Sequence, residues 1–115
     1  MPTIRSTPDF DKCVDELGRY RHIEEDIDTF KQALLGCFPK QIPRTHIIPG
    51  FGEGVYPVYK VEKFHSTDLR DNTRMRVVYT YDPEKDEIIL IEIYFKGKRE
   101  NHNCDVIKKH LVKKN

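Results

Sequence analysis

Apolar residues in the first third of the chain recur every three to four positions, whereas from Val58 the pattern becomes that of strands, with 74–81 alternating at every second position and 87–96 mostly apolar. A period near 3.6 marks one face of a helix, and a period of two marks one face of a strand. The change of period predicts helices first and a sheet second, the α+β class. In the helical part, Phe10, Cys13, Val14 and Leu17 stand at i, i+3, i+4 and i+7. Ser6-Thr7-Pro8-Asp9 before them reads as a helix start, because Ser or Thr caps, Pro suits the first turn and Asp9 and Asp11 complement the dipole. A second stripe of Ile23, Ile27, Phe30, Leu34 and Leu35 predicts a helix over 23–35, with Gly36 as its stop. Together the two predict an N-terminal helical hairpin.

Residues 36–57 hold Pro39, Pro43, Pro49, Pro57, Gly36, Gly50, Gly52 and Gly54, and no period survives there. They predict a long loop with a short edge strand near 45–48. Strands are expected over 58–64, 74–81 and 87–96, with a polar loop at 65–73 and a turn at 82–86. A weak strand at 3–5 precedes them, and a last helix is expected over about 103–113. The predicted architecture is one domain, residues 1–115, with helices packed on one face of an antiparallel meander. By alternation Arg74 and Arg76 share the face away from Met75, Val77, Tyr79 and Tyr81, a position where polar residues are ordinary on any half-solvated sheet.

The formal net charge is +1, so bulk charge selects no partner. Its distribution does more. Residues 1–35 hold eight acidic and five basic side chains, whereas the last twenty residues hold seven basic and two acidic. A basic end suggests an anionic partner, and a solvated Lys-rich helix is the plain alternative for Lys108, Lys109, Lys113 and Lys114. Cys13, Cys37 and Cys104 are widely spaced and odd in number, against a closed disulfide framework and consistent with the cytoplasm. The five histidines show no metal-ligand spacing. No apolar run approaches a membrane span or a signal-peptide core.

Short motifs on the expected strands carry more information. Tyr59-Lys60-Val61-Glu62 opens the first long strand, Arg76-Val77-Val78-Tyr79 lies on the next, Gly97-Lys98-Arg99-Glu100 follows the last, and Ile107-Lys108-Lys109-His110-Leu111 closes the chain. In this order they resemble the RelE/ParE toxin superfamily, over about residues 56–111. The resemblance implies the toxin of a type II toxin–antitoxin pair. Such a protein cleaves mRNA without metal or cofactor, at the ribosome or free of it, represses translation, and is silenced by a cognate antitoxin protein. Lys60, Arg76 and Arg99 fall on the family's basic site positions. Glu62 replaces a second strand lysine. The tyrosine that some members carry early in the last helix has no equivalent, and His102 stands nearby as a substitute. These departures keep a second reading open: a non-catalytic binding module, either an inhibitor of topoisomerase or an inactive homologue.

The expected chemistry needs a base for the ribose 2′-hydroxyl, a donor for the leaving 5′-oxygen and cations for the phosphorane. Arginine suits the last task because its planar fork reaches two phosphate oxygens. Arg76, Arg99, His102 and Lys60 are the catalytic candidates; Arg74, Lys96, Lys98 and His65 are candidates for holding RNA. His65, His102 and Glu62 compete for the role of base. Tyr79 and Tyr94 are candidates for base stacking or for half-buried packing. His22, His46 and His110 read as surface residues.

Overall fold

The structure, a computed structural model, describes residues 2–69, 74–99 and 101–115. Residues 70–73 of the expected polar loop, and Glu100 of the Gly97–Glu100 motif, lie outside the described residues. Helix α1 (Pro8–Glu16) starts as its sequence predicts: Thr7 is extended, its hydroxyl accepts the N–H of Phe10 at 3.1 Å, and Pro8 follows. Thr7 is wholly buried because it also stitches the helix start to the sheet, donating its N–H to the carbonyl of Leu90 at 3.0 Å. Helix α2 (Ile23–Cys37) runs through Gly36 rather than stopping at it. The stop comes at Phe38, whose successor Pro39 brings no N–H and disfavours helical backbone before it. The start of α2 is tied to the 67–68 segment: Asp68 accepts the N–H of His22 at 2.9 Å, and Asp26 of the helix accepts the N–H and hydroxyl of Thr67.

The strands are β1 (Thr3–Ser6), β2 (Thr45–Ile47), β3 (Val58–Val61), β4 (Met75–Asp82) and β5 (Glu87–Phe95). They form one sheet in the order β1-β5-β4-β3-β2. The β3-β4-β5 meander is as expected, but β1 lies parallel to β5, so the sheet is mixed rather than antiparallel throughout. Alternation of side chains says nothing about strand direction, which is why four residues at the N-terminus could not reveal this pairing. Strand β3 ends at Val61, three residues earlier than expected. Its partner β2 begins at Thr45, and beyond it the Glu62 N–H pairs with the carbonyl of Arg44 at 3.0 Å.

Both faces of the sheet are covered. On one, α1 and α2 bury Phe10, Ile27, Phe30 and Leu34 against Val77, Tyr79, Ile88 and Leu90. On the other, Ile107 joins Val58, Val78, Ile89 and Ile91. The last helix, α3 (Cys104–Lys108), therefore lies on the face opposite α1 and α2, correcting the expectation of helices on one face. It is also shorter than 103–113. Past it the chain pairs with the long loop: Val55 bridges Lys113, and the Tyr56 N–H donates to the Val112 carbonyl at 2.9 Å. Burial on both faces explains why β5 reads as an almost unbroken apolar run.

A β-bulge sets what lies where. Val78 pairs with Glu92, yet Tyr79 pairs with Leu90, so Ile91 is an extra residue on β5. Strict alternation would place Glu92 and Tyr94 with Ile88 and Leu90, against the helices. The inserted residue turns them to the face of Arg76 and Val78, as bulges near functional sites commonly re-aim side chains.

Candidate functional site

Strand register assembles a polar row on the face opposite α1 and α2. Residues directly opposite on paired strands share a face. His46 pairs with Lys60, Lys60 with Val78, and Val78 with Glu92; one step along, Arg76 pairs with Tyr94. Glu62, two residues after Lys60, meets the same group: its carboxylate lies 2.8 Å from His46 Nε2 and 3.7 Å from Arg76 Nε. Arg76, expected on a solvent face, is 94% covered, because Glu62 packs over it and its Nη1 also donates to the Glu62 carbonyl at 3.4 Å.

The segment after β5 folds back onto this row. Arg99 places its guanidinium 4.6 Å from the Tyr94 ring centre and 2.5 Å from Glu92. Glu92, 1% exposed, also accepts the N–H of Asn103 at 3.0 and 3.3 Å. Asn103 in turn caps α3 through its side chain. Glu92 thus ties down both ends of the Arg99–Asn103 segment, and His102 sits within it. The His102 Nδ1 is buried without a hydrogen-bond partner. Burial, then Lys60, then Arg99 lower its pKa, which favours the neutral imidazole with a lone pair free for a proton.

Lys60, Arg76, Arg99 and His102 are therefore brought to one face. Other candidates are not. Arg74 is exposed and lies 5.5 Å over the Phe95 ring, which packs with the helix-side core, so it is parted from Arg76. It precedes β4, and the alternation that paired it with Arg76 does not reach it. His65 lines a depression with Phe30, Ala33 and Ile42 beside α2, away from the row. Lys96 and Lys98 are exposed in the turn after β5. Tyr79 is stacked 5.2 Å from Tyr59 in the helix-side core, so it offers no face to a base on this side.

Two members of the row escaped the sequence reading. Glu92 sits inside the run EIILIEIYFK, where alternation assigns it to the wrong face, and only the bulge reveals it. His46 showed no signal in spacing; register alone places it. Tyr94 was considered for stacking, but Arg99 already covers its ring. Burial, reinforced by Glu92, pushes its hydroxyl up to about 12, so it stays a protonated donor near Arg76, Arg99 and Glu62.

The electrostatics divide the two carboxylates. Partial burial of Glu62 opposes its charge, but Arg76 and then His46 outweigh this and hold its pKa below the usual value. For Glu92 burial wins over Asn103 and Arg99, and the pKa is raised from 4.5. A carboxyl raised on folding stabilises fully below its unfolded pKa, and that contribution is lost as pH rises through the folded value. The contribution of Glu92 to stability should therefore fall across the window opening near pH 4.5, so the wild type should lose stability relative to Glu92→Gln as pH rises through it. Urea midpoints from pH 4 to 8 measure it; identical pH slopes would mean that Glu92 titrates alike in the folded and unfolded chain.

Among the described residues no three His, Cys, Asp or Glu side chains cluster as a metal site. Compared with family models, curated proteins and solved structures, the chain finds no match. The arrangement itself offers three cations for a phosphate, one neutral imidazole and one ionised carboxylate for proton transfer, and a phenol donor. It also sets a condition. Each arginine already has a carboxylate partner, so an incoming phosphate must compete with Glu62 for Arg76 and with Glu92 for Arg99.

Proposed function

We propose that this domain is a RelE-like endoribonuclease toxin acting in the cytoplasm on mRNA, at the ribosome or free, and held silent by a cognate antitoxin protein. The observation that carries the reading is the shared face of Lys60, Arg76, Arg99 and His102, drawn from three separate stretches of chain. His102 takes the proton of the ribose 2′-hydroxyl, since it is the neutral imidazole of the group. Glu62 is the weaker base, being already engaged by Arg76 and His46. Lys60 and the two arginines neutralise the phosphorane. Exposed Lys96 and Lys98 add electrostatic attraction at the rim.

A non-catalytic binding module on the same fold is the second reading. The Glu62–Arg76 and Glu92–Arg99 pairs favour it, because they quench two of the three cations in the free protein.

Purified protein incubated with RNA in the presence of a chelator separates the two. Cleavage leaving 2′,3′-cyclic phosphate and 5′-hydroxyl ends, together with growth arrest and new mRNA ends on induced expression, is expected. Intact RNA and unimpaired growth would sink the nuclease reading and leave the binding module.

A further inference from the structure

The edge of the sheet carries a second imidazole on the site face. His46 lies on β2, opposite Lys60, and its Nε2 is 2.8 Å from Glu62 Oε1. The other oxygen of Glu62 faces Arg76. An ionised carboxylate only accepts hydrogen bonds, so Nε2 carries a hydrogen and Nδ1 is left for a substrate. The His46 side chain is 59% exposed, so that nitrogen is reachable.

The backbone around His46 is held in an unusual way. Arg44, two residues earlier, has φ +65°, the left-handed region that non-glycine residues enter only at an energetic cost. Its carbonyl accepts the Glu62 N–H at 3.0 Å, and Thr45 Oγ1 donates to the Ile42 carbonyl at 2.6 Å. These contacts pin the start of β2 against residue 62, and so fix His46 relative to its carboxylate. An exposed His–Glu pair alone contributes little to stability and would not account for a strained residue beside it. Strain kept next to a polar cluster points toward function.

We propose that His46 is a catalytic proton donor of this site, with Glu62 the residue that orients it. The proposal rests on the RNA-cleavage reading above and assigns the half of the chemistry that reading leaves open. Lys60 is the register neighbour of His46, and its charge also helps lower the pKa of His102. In the step, His102 takes the 2′-hydroxyl proton as the 2′-oxygen bonds to phosphorus. The bond from phosphorus to the 5′-oxygen breaks, and that oxygen takes the Nδ1 proton of the His46 imidazolium. A 2′,3′-cyclic phosphate and a 5′-hydroxyl leave; His102 then loses its proton to water and His46 regains one.

The test compares two substrates. A ribodinucleotide needs its leaving oxygen protonated, whereas a uridine 3′-(p-nitrophenyl phosphate) leaves as a stable phenolate and does not. His46→Gln should lose about 100-fold or more on the dinucleotide, the usual size of a general-acid contribution, and far less on the activated ester. Glu62→Gln should show the same selectivity, more weakly. Equal losses on both substrates would make His46 structural and overturn the proposal, as would rates within about two-fold of wild type on the dinucleotide. If wild type cleaves neither substrate and gives no new mRNA ends on induced expression, the RNA-cleavage reading itself fails and takes the proposal with it; new mRNA ends that persist undiminished in His46→Gln overturn the proposal alone.

Discussion

Arg76→Ala should abolish RNA cleavage to within a few parts per thousand while leaving a folded protein. Removing one preorganised donor to a developing oxyanion costs about 10²–10³ in rate. Arg76 is held more firmly than an ordinary surface arginine: it lies in the middle of β4, 94% covered, with Glu62 on one side and Tyr94 as its strand partner. If its contact to phosphate forms fully only in the transition state, its loss should appear chiefly in the rate constant at saturating RNA rather than in KM. Arg76→Lys should recover only part of the activity, because a single ammonium cannot reproduce two fork contacts to a phosphate. Far-UV circular dichroism and single-turnover kinetics on the same samples check both halves. A folded Arg76→Ala protein that cleaves at near wild-type rate would remove Arg76 from the chemistry.

The largest effect on stability is expected at Ile107. Its side chain is the fully buried one of α3, packed in the second core with Val58, Val78, Ile89 and Ile91 while Val106 packs partly buried against the same cluster. Ile107→Ala should cost about 2–5 kcal/mol, the range for truncating a fully buried aliphatic side chain. Against a total of about 5–15 kcal/mol for a small domain, this is a large share. Urea unfolding should show a lower midpoint with an unchanged slope. The loss should also be felt locally, because α3 is a short helix that depends on this anchor. Two further ties, Glu92 to Asn103 and His110 to Asp9 at 2.7 Å, restrain the same segment. Amide exchange in residues 104–110 should therefore accelerate more than in α1 or α2. A cost under about 1 kcal/mol would mean the second core is not close-packed.

Much of the fold was legible because local physics carried it. The α1 start was readable from Thr7-Pro8-Asp9, since capping and dipole effects act within one turn. The stripe of α2 and the meander β3-β4-β5 were readable from period alone, since each element must bury one side. Lys60, Arg76, Arg99 and His102 were picked out by their resemblance to a known set, and their common face agrees with that choice without testing their roles.

What the sequence by itself determined is the list of elements and their order, because cap, period and turn signals reside in residues close together along the chain. Only the tertiary structure decided the rest. The parallel docking of β1, the placement of α3 on the second face, the separation of Arg74 and His65 from the site, and the arrival of His46 and Glu92 within it all depend on register and on one inserted residue at Ile91. A one-residue shift in a strand reverses the face of every later side chain. Its position is set by how two cores pack on opposite sides of the sheet, and no local stretch of sequence contains that information.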